Sequence, residues 1–216
     1  MKQLSLSVLL SFITSISQLQ AEEDYYNFDF DIFGPASFIE NCPLHIQNIR
    51  PPDTCASEGG VFLAKRKKGP HFAVDLELAT ADFSVMAVAA GKVRIAEKWP
   101  NMGNVVFVDH QDGRYSVYAH LASFSVKKGD AINAGKTIGK VGYTGNSDCL
   151  EEKGLPPHLH FAVFRSIRSD EAAFPKAKPI TTWKQEGFAM KDIHLDHIGV
   201  LDPTPRLQTL GCIYIP

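Results

Sequence analysis

Two histidines one residue apart are the residues best suited to chemistry in this sequence. His158 and His160 lie in the run Pro-Pro-His-Leu-His-Phe at residues 156–161. In a β-strand, alternate side chains point to the same face, so the two rings would lie roughly 6 to 7 Å apart along the strand. Leu159 and Phe161 would occupy the opposite face. This pattern is typical of a half-buried strand that offers nitrogen ligands to a metal ion.

Two further segments carry histidines in a strand-like context. His71 and Asp75 are the ends of His-Phe-Ala-Val-Asp, and His120 lies in Tyr-Ala-His-Leu at residues 118–121. Each residue alone is more often an ordinary surface or core residue, but together they favour a zinc centre. Two histidines and one aspartate would supply three protein ligands and leave the fourth position to water. Because His71 and Asp75 would be about 13 Å apart in an extended chain, the backbone must bend near Ala73.

The elements that must position these residues are short strands separated by turn signals between residues 61 and 164. Asp112 and Gly113 predict a hairpin turn, and no long segment with helical periodicity interrupts the pattern. Even spacing of short strands predicts an antiparallel all-β domain. The predicted strands are 84–89, 92–96, 104–109, 114–121, 137–142 and 158–164, with a long loop before the last of them.

The first 60 residues differ in composition from this region. Residues 1–21 carry Lys2, a short apolar and serine-rich run, and a plausible cleavage site at Ala21, which predicts a secretory signal peptide. A membrane-spanning helix is the alternative, but the apolar run is too short, so we expect an exported protein, periplasmic or secreted, without a transmembrane segment. Residues 22–60 predict an extension that packs on the main domain. Alternation of apolar and acidic residues at 28–32 indicates a strand there. The basic run 65–68 is more typical of a solvated loop than of a binding site for an anionic substrate.

The whole chain has 216 residues and a formal net charge of -2. The length suits one domain with a sizeable core. The charge argues neither for nor against a polyanionic partner, and we expect no nucleic-acid partner.

Four cysteines predict two disulfides in an exported protein. The sequence permits three pairings, of which Cys42–Cys55 and Cys149–Cys212 are the expected ones. A cysteine zinc site is the competing interpretation, but the sequence contains no Cys-x-x-Cys pair.

The segment from residue 69 to residue 163 resembles the lysostaphin-type (LytM-like) zinc metallopeptidases, which cleave peptide cross-bridges in bacterial cell walls. Gly-x-His-x-x-x-Asp matches at 69–75, Tyr-x-His-Leu at 118–121 and Pro-His-Leu-His-Phe at 157–161. Between them, Lys-x-Gly-Asp at 127–130 and Gly-x-Thr-Gly at 142–145 follow in the family's order. The resemblance implies an antiparallel β fold for residues 61–164.

The resemblance also implies residue roles. It implies one zinc ion per chain, bound by His71, Asp75 and His160, with His120 and His158 as catalytic histidines. Which of these two is the general base stays open.

The sequence departs from the family at three places. Ala73 stands where the family usually has glycine, the loop 146–156 is longer than usual, and residues 165–201 have no counterpart in the minimal domain. We expect 165–201 to be an insertion and 202–216 to be the closing segment. A second metal site at His194 and His197 is a weaker hypothesis, because no third ligand is evident there.

The expected function is that of an exported zinc endopeptidase that hydrolyses peptide cross-links of peptidoglycan. Three alternatives remain open: a non-catalytic zinc-binding adaptor or activator of wall hydrolases, a zinc peptidase that acts on non-wall peptides, and a structural exported protein with incidental histidines. The bond that is cut and the oligomeric state are not determined by the sequence.

Overall fold

The computed structural model describes residues 36–45, 48–55, 59–66, 69–166 and 198–213. The predicted signal peptide, the predicted strand at 28–32 and the pair His194 and His197 lie outside these ranges. Most of the predicted insertion at 165–201 lies outside them as well. The division of the chain into these segments therefore stays a prediction.

Strands dominate the described residues. Two short helices accompany them, α1 (Asp148–Glu152) and α2 (Thr204–Thr209). The strands are β1 (Asn48–Ile49), β2 (Lys65–Arg66), β3 (Gly69–Pro70), β4 (Val74–Glu77), β5 (Ser84–Met86), β6 (Gly91–Trp99), β7 (Gly103–Asp109), β8 (Arg114–Phe124), β9 (Ala131–Ile132), β10 (Thr137–Val141), β11 (His158–Ser166) and β12 (Ile198–Leu201).

Ten of the described strands form one antiparallel sheet, in the main order β1-β4-β11-β8-β7-β6-β9. Strand β10 pairs with β8 and β5, and β12 pairs with the end of β11. The strands β2 and β3 form a separate hairpin. The prediction of an antiparallel all-β fold is therefore confirmed. The predicted turn between β7 and β8 is also present, and its Gly113 has the positive φ of 82° that glycine adopts readily.

The core lies against β8 and β11, the two central strands. Tyr118 of β8 and Phe161 of β11 are both fully buried, with ring centroids 5.3 Å apart. The backbone N–H of Val88 donates to the Tyr118 hydroxyl oxygen at 3.0 Å, so this buried polar atom has a partner. Leu159 is fully buried on the same face of β11 as Phe161. Burial of each such side chain stabilises the fold by about 1.5–3 kcal/mol and fixes which face of β11 carries His158 and His160.

The predicted bend before β4 is present. The chain turns at Ala73, between the end of β3 and the start of β4. His71 itself is held by two backbone hydrogen bonds: its N–H donates to Ala64 at 2.9 Å, and its carbonyl accepts from Leu63 at 2.8 Å.

The segment before β11 differs from the predicted long loop. It contains a 3₁₀ turn at Gly145–Ser147 followed directly by α1. Leu150 of α1 is buried, and this anchors the short helix on the domain. A five-residue helix has too few turns to produce a periodic pattern in the sequence.

The expected disulfide pairing is wrong, although all four cysteines are paired as expected. The bridges are Cys42–Cys212 and Cys55–Cys149, with Cα atoms 5.4 and 6.1 Å apart. The expected pairing favoured neighbours in sequence, whereas the fold brings distant segments together. Arg206 of α2 donates to the carbonyl of Ile39 at 2.9 Å, so the two ends of the first bridge lie in segments that contact each other.

The second bridge follows from the strand order. Strand β1, a few residues before Cys55, adds to the edge of β4, and β11 lies on the other side of β4. Since α1 carries Cys149 just before β11, the two cysteines come together. Among the described residues, no helix is long and apolar enough to cross a membrane.

Candidate active site

Neighbouring strands, with the segment between β3 and β4 that carries His71, bring all five predicted site residues together. Asp75 on β4 pairs directly with His160 on β11, and His160 pairs on its other side with Ala119, the residue before His120. The ring centroids of His120 and His158 are 4.9 Å apart, and those of His71 and His160 are 5.0 Å apart. The sheet register therefore assembles one cluster from three separate sequence motifs.

Three of these residues present ligand atoms toward one point. The Nε2 atom of His71 lies 3.1 Å from Oδ1 of Asp75 and 3.2 Å from Nδ1 of His160. The Nδ1 atom of His160 lies 3.0 Å from the same carboxylate oxygen. Ligands about 2.0–2.1 Å from a tetrahedral zinc ion are about 3.3 Å from one another, so the three donors fit zinc in number, type and spacing.

The second ring nitrogen of His71 supports this fit. Its Nδ1 lies 3.1 Å from the carbonyl oxygen of Val61. A carbonyl oxygen only accepts, so Nδ1 carries a proton, and in the neutral ring Nε2 is the nitrogen with the lone pair. Histidines that bind zinc are commonly oriented by such a hydrogen bond from the other nitrogen.

His158 lies beside the three candidate ligands without joining them. Its Nε2 atom is 3.6 Å from Oδ1 of Asp75, beyond ordinary hydrogen-bond distance. Its Nδ1 atom is buried and has no hydrogen-bond partner among the described residues.

His120 is held in a defined orientation and in one tautomer. Its Nδ1 lies 2.8 Å from the carbonyl oxygen of Thr144, so Nδ1 donates and Nε2 carries the lone pair. Its backbone has a φ of 62°, a left-handed conformation that is rare for residues other than glycine. Thr144 is itself fixed, since its hydroxyl donates to Leu121 at 2.8 Å and accepts from the N–H of Asn104 at 2.9 Å.

Burial and charge set the protonation states in the cluster. Burial lowers the pKa of His120 to about 4, and the neighbouring His160 adds to this effect. Burial also lowers the pKa of His158 and His160. For Asp75, burial acts in the opposite direction, but the nearby His158 and His71 and the hydrogen bonds of His160 and His71 outweigh it, so its pKa lies well below the ordinary value. At neutral pH the cluster thus contains a carboxylate with neutral imidazoles at His120, His158 and His160, which are the forms that bind metals and accept protons.

Two arginines that the sequence analysis did not associate with the site also reach Asp75. Nη2 of Arg66 lies 3.3 Å and Nη1 of Arg50 lies 3.8 Å from Oδ2, the carboxylate oxygen that faces away from the histidines. Arg66 belongs to the basic run at 65–68, which was expected to be a solvated loop. Arg50 lies in the proline-rich extension and in no recognised motif, so no local signal in the sequence indicates its position.

Comparison with known proteins identifies the domain that carries this site. Residues 69–173 match the model of peptidase family M23. The chain therefore contains a peptidase M23 domain, and the resemblance to lysostaphin-type peptidases is confirmed. All five predicted site residues fall inside the matched range, whereas Arg50 and Arg66 fall before it.

Individual relatives agree with this assignment. The peptidoglycan DD-endopeptidase ShyB of Vibrio cholerae is 30% identical over 117 residues, which are 53% of this chain and 26% of that protein. Stage II sporulation protein Q of Bacillus subtilis is 42% identical over 82 residues, which are 38% of this chain and 27% of that protein. The chain thus spans about a quarter of the length of these two relatives.

Among solved structures, the catalytic domain of the antimicrobial peptidase lysostaphin from Staphylococcus simulans is similar to this chain. The sequence identity is 25% and the TM-score is 0.46. The match covers 69% of this chain and 87% of that domain.

Proposed function

We propose that this protein is an exported zinc endopeptidase that hydrolyses peptide cross-links of peptidoglycan. The observation that carries the proposal is the cluster of His71, Asp75 and His160, whose ligand atoms lie 3.0–3.2 Å apart with two further histidines beside them. Relatives named for peptidoglycan endopeptidase activity support the substrate class. Two disulfides support an oxidising compartment outside the cytoplasm.

His71, Asp75 and His160 would hold the metal in this proposal. When bound there, zinc would supply a Lewis acid for water and for the scissile carbonyl. The protein's own contribution is a preorganised cluster in which the ring orientations of His71 and His120 are fixed by backbone carbonyl groups.

His120 is the better candidate for taking up the water proton. Its Nδ1–H is committed to Thr144, so its Nε2 lone pair is available at neutral pH. His158, whose Nε2 faces the candidate ligands 3.6 Å from Oδ1 of Asp75 and whose ring lies 4.9 Å from that of His120, is assigned to stabilising the oxyanion. The sequence left the choice between these two roles open, and this assignment is our proposal for it.

A non-catalytic adaptor of wall hydrolases is the second candidate function. Stage II sporulation protein Q, the relative with 42% identity, is named for sporulation and not for a peptidase activity. Membership of the family alone therefore does not establish catalysis. The presence of both candidate catalytic histidines in one cluster favours the enzyme.

The test measures zinc content and hydrolysis on the same proteins. The mature protein and its His160→Ala, His120→Ala and His158→Ala variants would be loaded with zinc, desalted, and assayed on purified sacculi and on casein. We expect about one zinc per chain in all but His160→Ala, and release of peptide fragments from sacculi only by the unmodified protein. Loss of a positioned proton acceptor or oxyanion donor should lower turnover by about 10²-fold or more.

A matched control is His110→Ala. His110 bonds to Ala90 and Ser116 outside the cluster, so this variant removes a hydrogen-bonded ring without touching the site. Zinc binding without hydrolysis of either substrate would favour the adaptor. Hydrolysis of casein but not of sacculi would favour a peptidase for non-wall substrates, and absence of zinc would exclude all three zinc-dependent functions.

A further inference from the structure

We propose that Arg50, which lies before the M23 domain, is a positioning residue for Asp75 and makes the segment 48–55 part of the metal site. The inference rests on the proposed function, because it takes Asp75 to be a zinc ligand. It concerns a residue 19 positions before the range that matches the family.

The sheet register places Arg50 opposite Asp75. Strand β1 pairs with β4 so that Asn48 faces Glu77 and Ile49 faces Leu76. The ladder continues one residue further, since the N–H of Arg50 donates to the carbonyl of Asp75 at 2.8 Å. Residues directly opposite each other in an antiparallel pair have their side chains on the same face of the sheet. The side chain of Arg50 is therefore directed to the same side as the candidate ligand.

The guanidinium group of Arg50 is buried and held in one orientation. Only 5% of the residue is exposed. Its Nε and Nη2 donate to the two carboxylate oxygens of Asp53, each at 2.7 Å, which is a bidentate pair with a fixed plane. Its Nη1 atom is left facing Oδ2 of Asp75 at 3.8 Å.

The two oxygens of Asp75 consequently have different surroundings. Oδ1 faces the nitrogens of His71 and His160, while Oδ2 faces the guanidinium groups of Arg50 and Arg66. Turning the carboxylate plane away from this orientation would move its outer oxygen away from these positive charges. The arginines therefore favour the orientation in which a single oxygen is offered to the metal.

Arg66 makes the shorter contact with Asp75, but Arg50 is the more deeply buried and the more firmly held of the two arginines. Its partner Asp53 also accepts a hydrogen bond from the N–H of Cys55 at 2.6 Å, and Cys55 is bridged to Cys149. Arg66 is more exposed and donates to the carbonyl of Gly59 at 2.6 Å. We thus assign the main positioning role to Arg50.

The experiment separates a positioning role from ordinary stabilisation. Zinc dissociation constants would be measured by competition with a chromophoric chelator, and thermal unfolding would be measured on the metal-free proteins. Arg50→Met should weaken zinc binding about 10- to 100-fold, the usual range for loss of a group that orients a metal ligand. Arg50→Lys keeps the positive charge but cannot form the bidentate pair with Asp53. Its zinc affinity should lie between those of Arg50→Met and the unmodified protein.

The matched control is Arg94→Met. Arg94 pairs with the buried Asp109 on β7, so its loss also leaves a buried carboxylate without its cation, but Asp109 is not among the candidate ligands. We expect Arg94→Met to lower the unfolding temperature while the zinc dissociation constant stays unchanged. If Arg50→Met does not fold, Arg50→Lys and Asp53→Asn replace it in the test. Both variants disturb the bidentate pair between residues 50 and 53 while keeping a cation at position 50.

The outcomes distinguish the inference from the function on which it rests. Wild-type zinc affinity in Arg50→Met, or in both Arg50→Lys and Asp53→Asn, would overturn the positioning role alone. Absence of zinc binding by the unmodified protein would overturn the proposed function and this inference with it.

Discussion

At the scale of single residues, His120 combines an uncommon backbone conformation with a committed tautomer. A non-glycine residue at a φ of 62° costs on the order of 1–3 kcal/mol, which the surrounding hydrogen bonds must offset. Its N–H donates to Met102 at 2.9 Å, and its carbonyl accepts from Gly142 at 3.0 Å. The fold thus stabilises an unfavourable geometry at the residue proposed to accept a proton.

The lowered pKa of His120 predicts how the metal-free protein responds to acid. The folded pKa is about 4 and the ordinary value is 6.5, so between these pH values the unfolded chain binds a proton that the folded protein does not. Stability should therefore fall as the pH is lowered from 6.5 to 4, by about 3 kcal/mol from this residue alone. Urea unfolding from pH 4 to 7 measures this loss.

The comparison variant for this measurement is His120→Asn, because asparagine tolerates the left-handed backbone better than most residues. The pH dependence of its unfolding free energy should be shallower than that of the unmodified protein. Parallel curves for the two proteins would show that His120 does not titrate in this range.

Gly60 tests how closely the backbone around Asp75 is packed. A Cβ atom at this position would lie 2.4 Å from Cβ of Asp75, so Gly60→Ala must displace one of the two segments. We expect weaker zinc binding, measured by chelator competition, and a loss of about 1–3 kcal/mol in the unfolding free energy. Gly154→Ala is the control, since a Cβ there meets no atom within 4 Å and only its positive φ is disfavoured. Equal zinc affinity in both variants would contradict the prediction.

At the scale of elements, the bridge Cys55–Cys149 connects the segment of Arg50 to α1. The double variant Cys55→Ser/Cys149→Ser should lose about 2–4 kcal/mol of unfolding free energy and should also bind zinc more weakly, because Arg50 and Asp53 are less firmly held. Denaturant unfolding and chelator competition measure the two effects.

The other bridge provides the matched control for that prediction. The double variant Cys42→Ser/Cys212→Ser removes the bridge that joins residue 42 to the segment after α2. Neither cysteine lies in the segment 48–55 that carries Arg50. It should lose stability to a similar extent with unchanged zinc affinity. A parallel loss of zinc affinity in both double variants would mean that the effect comes from general destabilisation.

Local patterns in the sequence predicted much of this architecture. Alternation placed His158 and His160 on one face of β11, Asp112 and Gly113 predicted a hairpin turn, and the spacing of His71 from Asp75 required the bend that the chain makes at Ala73. Each of these inferences depends on residues a few positions apart. The five candidate site residues could be grouped because each lies in a recognisable motif.

Features that depend on distant pairs could not be predicted in the same way. Both disulfides join cysteines at least 94 positions apart, and this proximity exists only after the strand order is known. Arg50 reaches Asp75 only because β1 adds to the free edge of β4. Nothing in the composition near Arg50 distinguishes it from a surface arginine.

At the scale of the whole molecule, the bridge between Cys42 and Cys212 closes most of the chain into a covalent ring. A single break in the backbone at any point between these cysteines therefore leaves both pieces attached to each other. This tolerance of nicking would suit the exported protein proposed above.

A break at Gly129 makes the point testable. Gly129 is exposed, and both bridges span it. After insertion of a recognition sequence for a specific protease there and complete cleavage, a denaturing gel without reductant should contain one band of full mass, and a reduced gel should contain two smaller ones. Two separate fragments without reductant would instead indicate the pairs Cys42–Cys55 and Cys149–Cys212. With the pairing in this structure, a molecule cut once at this position remains one covalent unit. Its two pieces can therefore refold together as an intramolecular process.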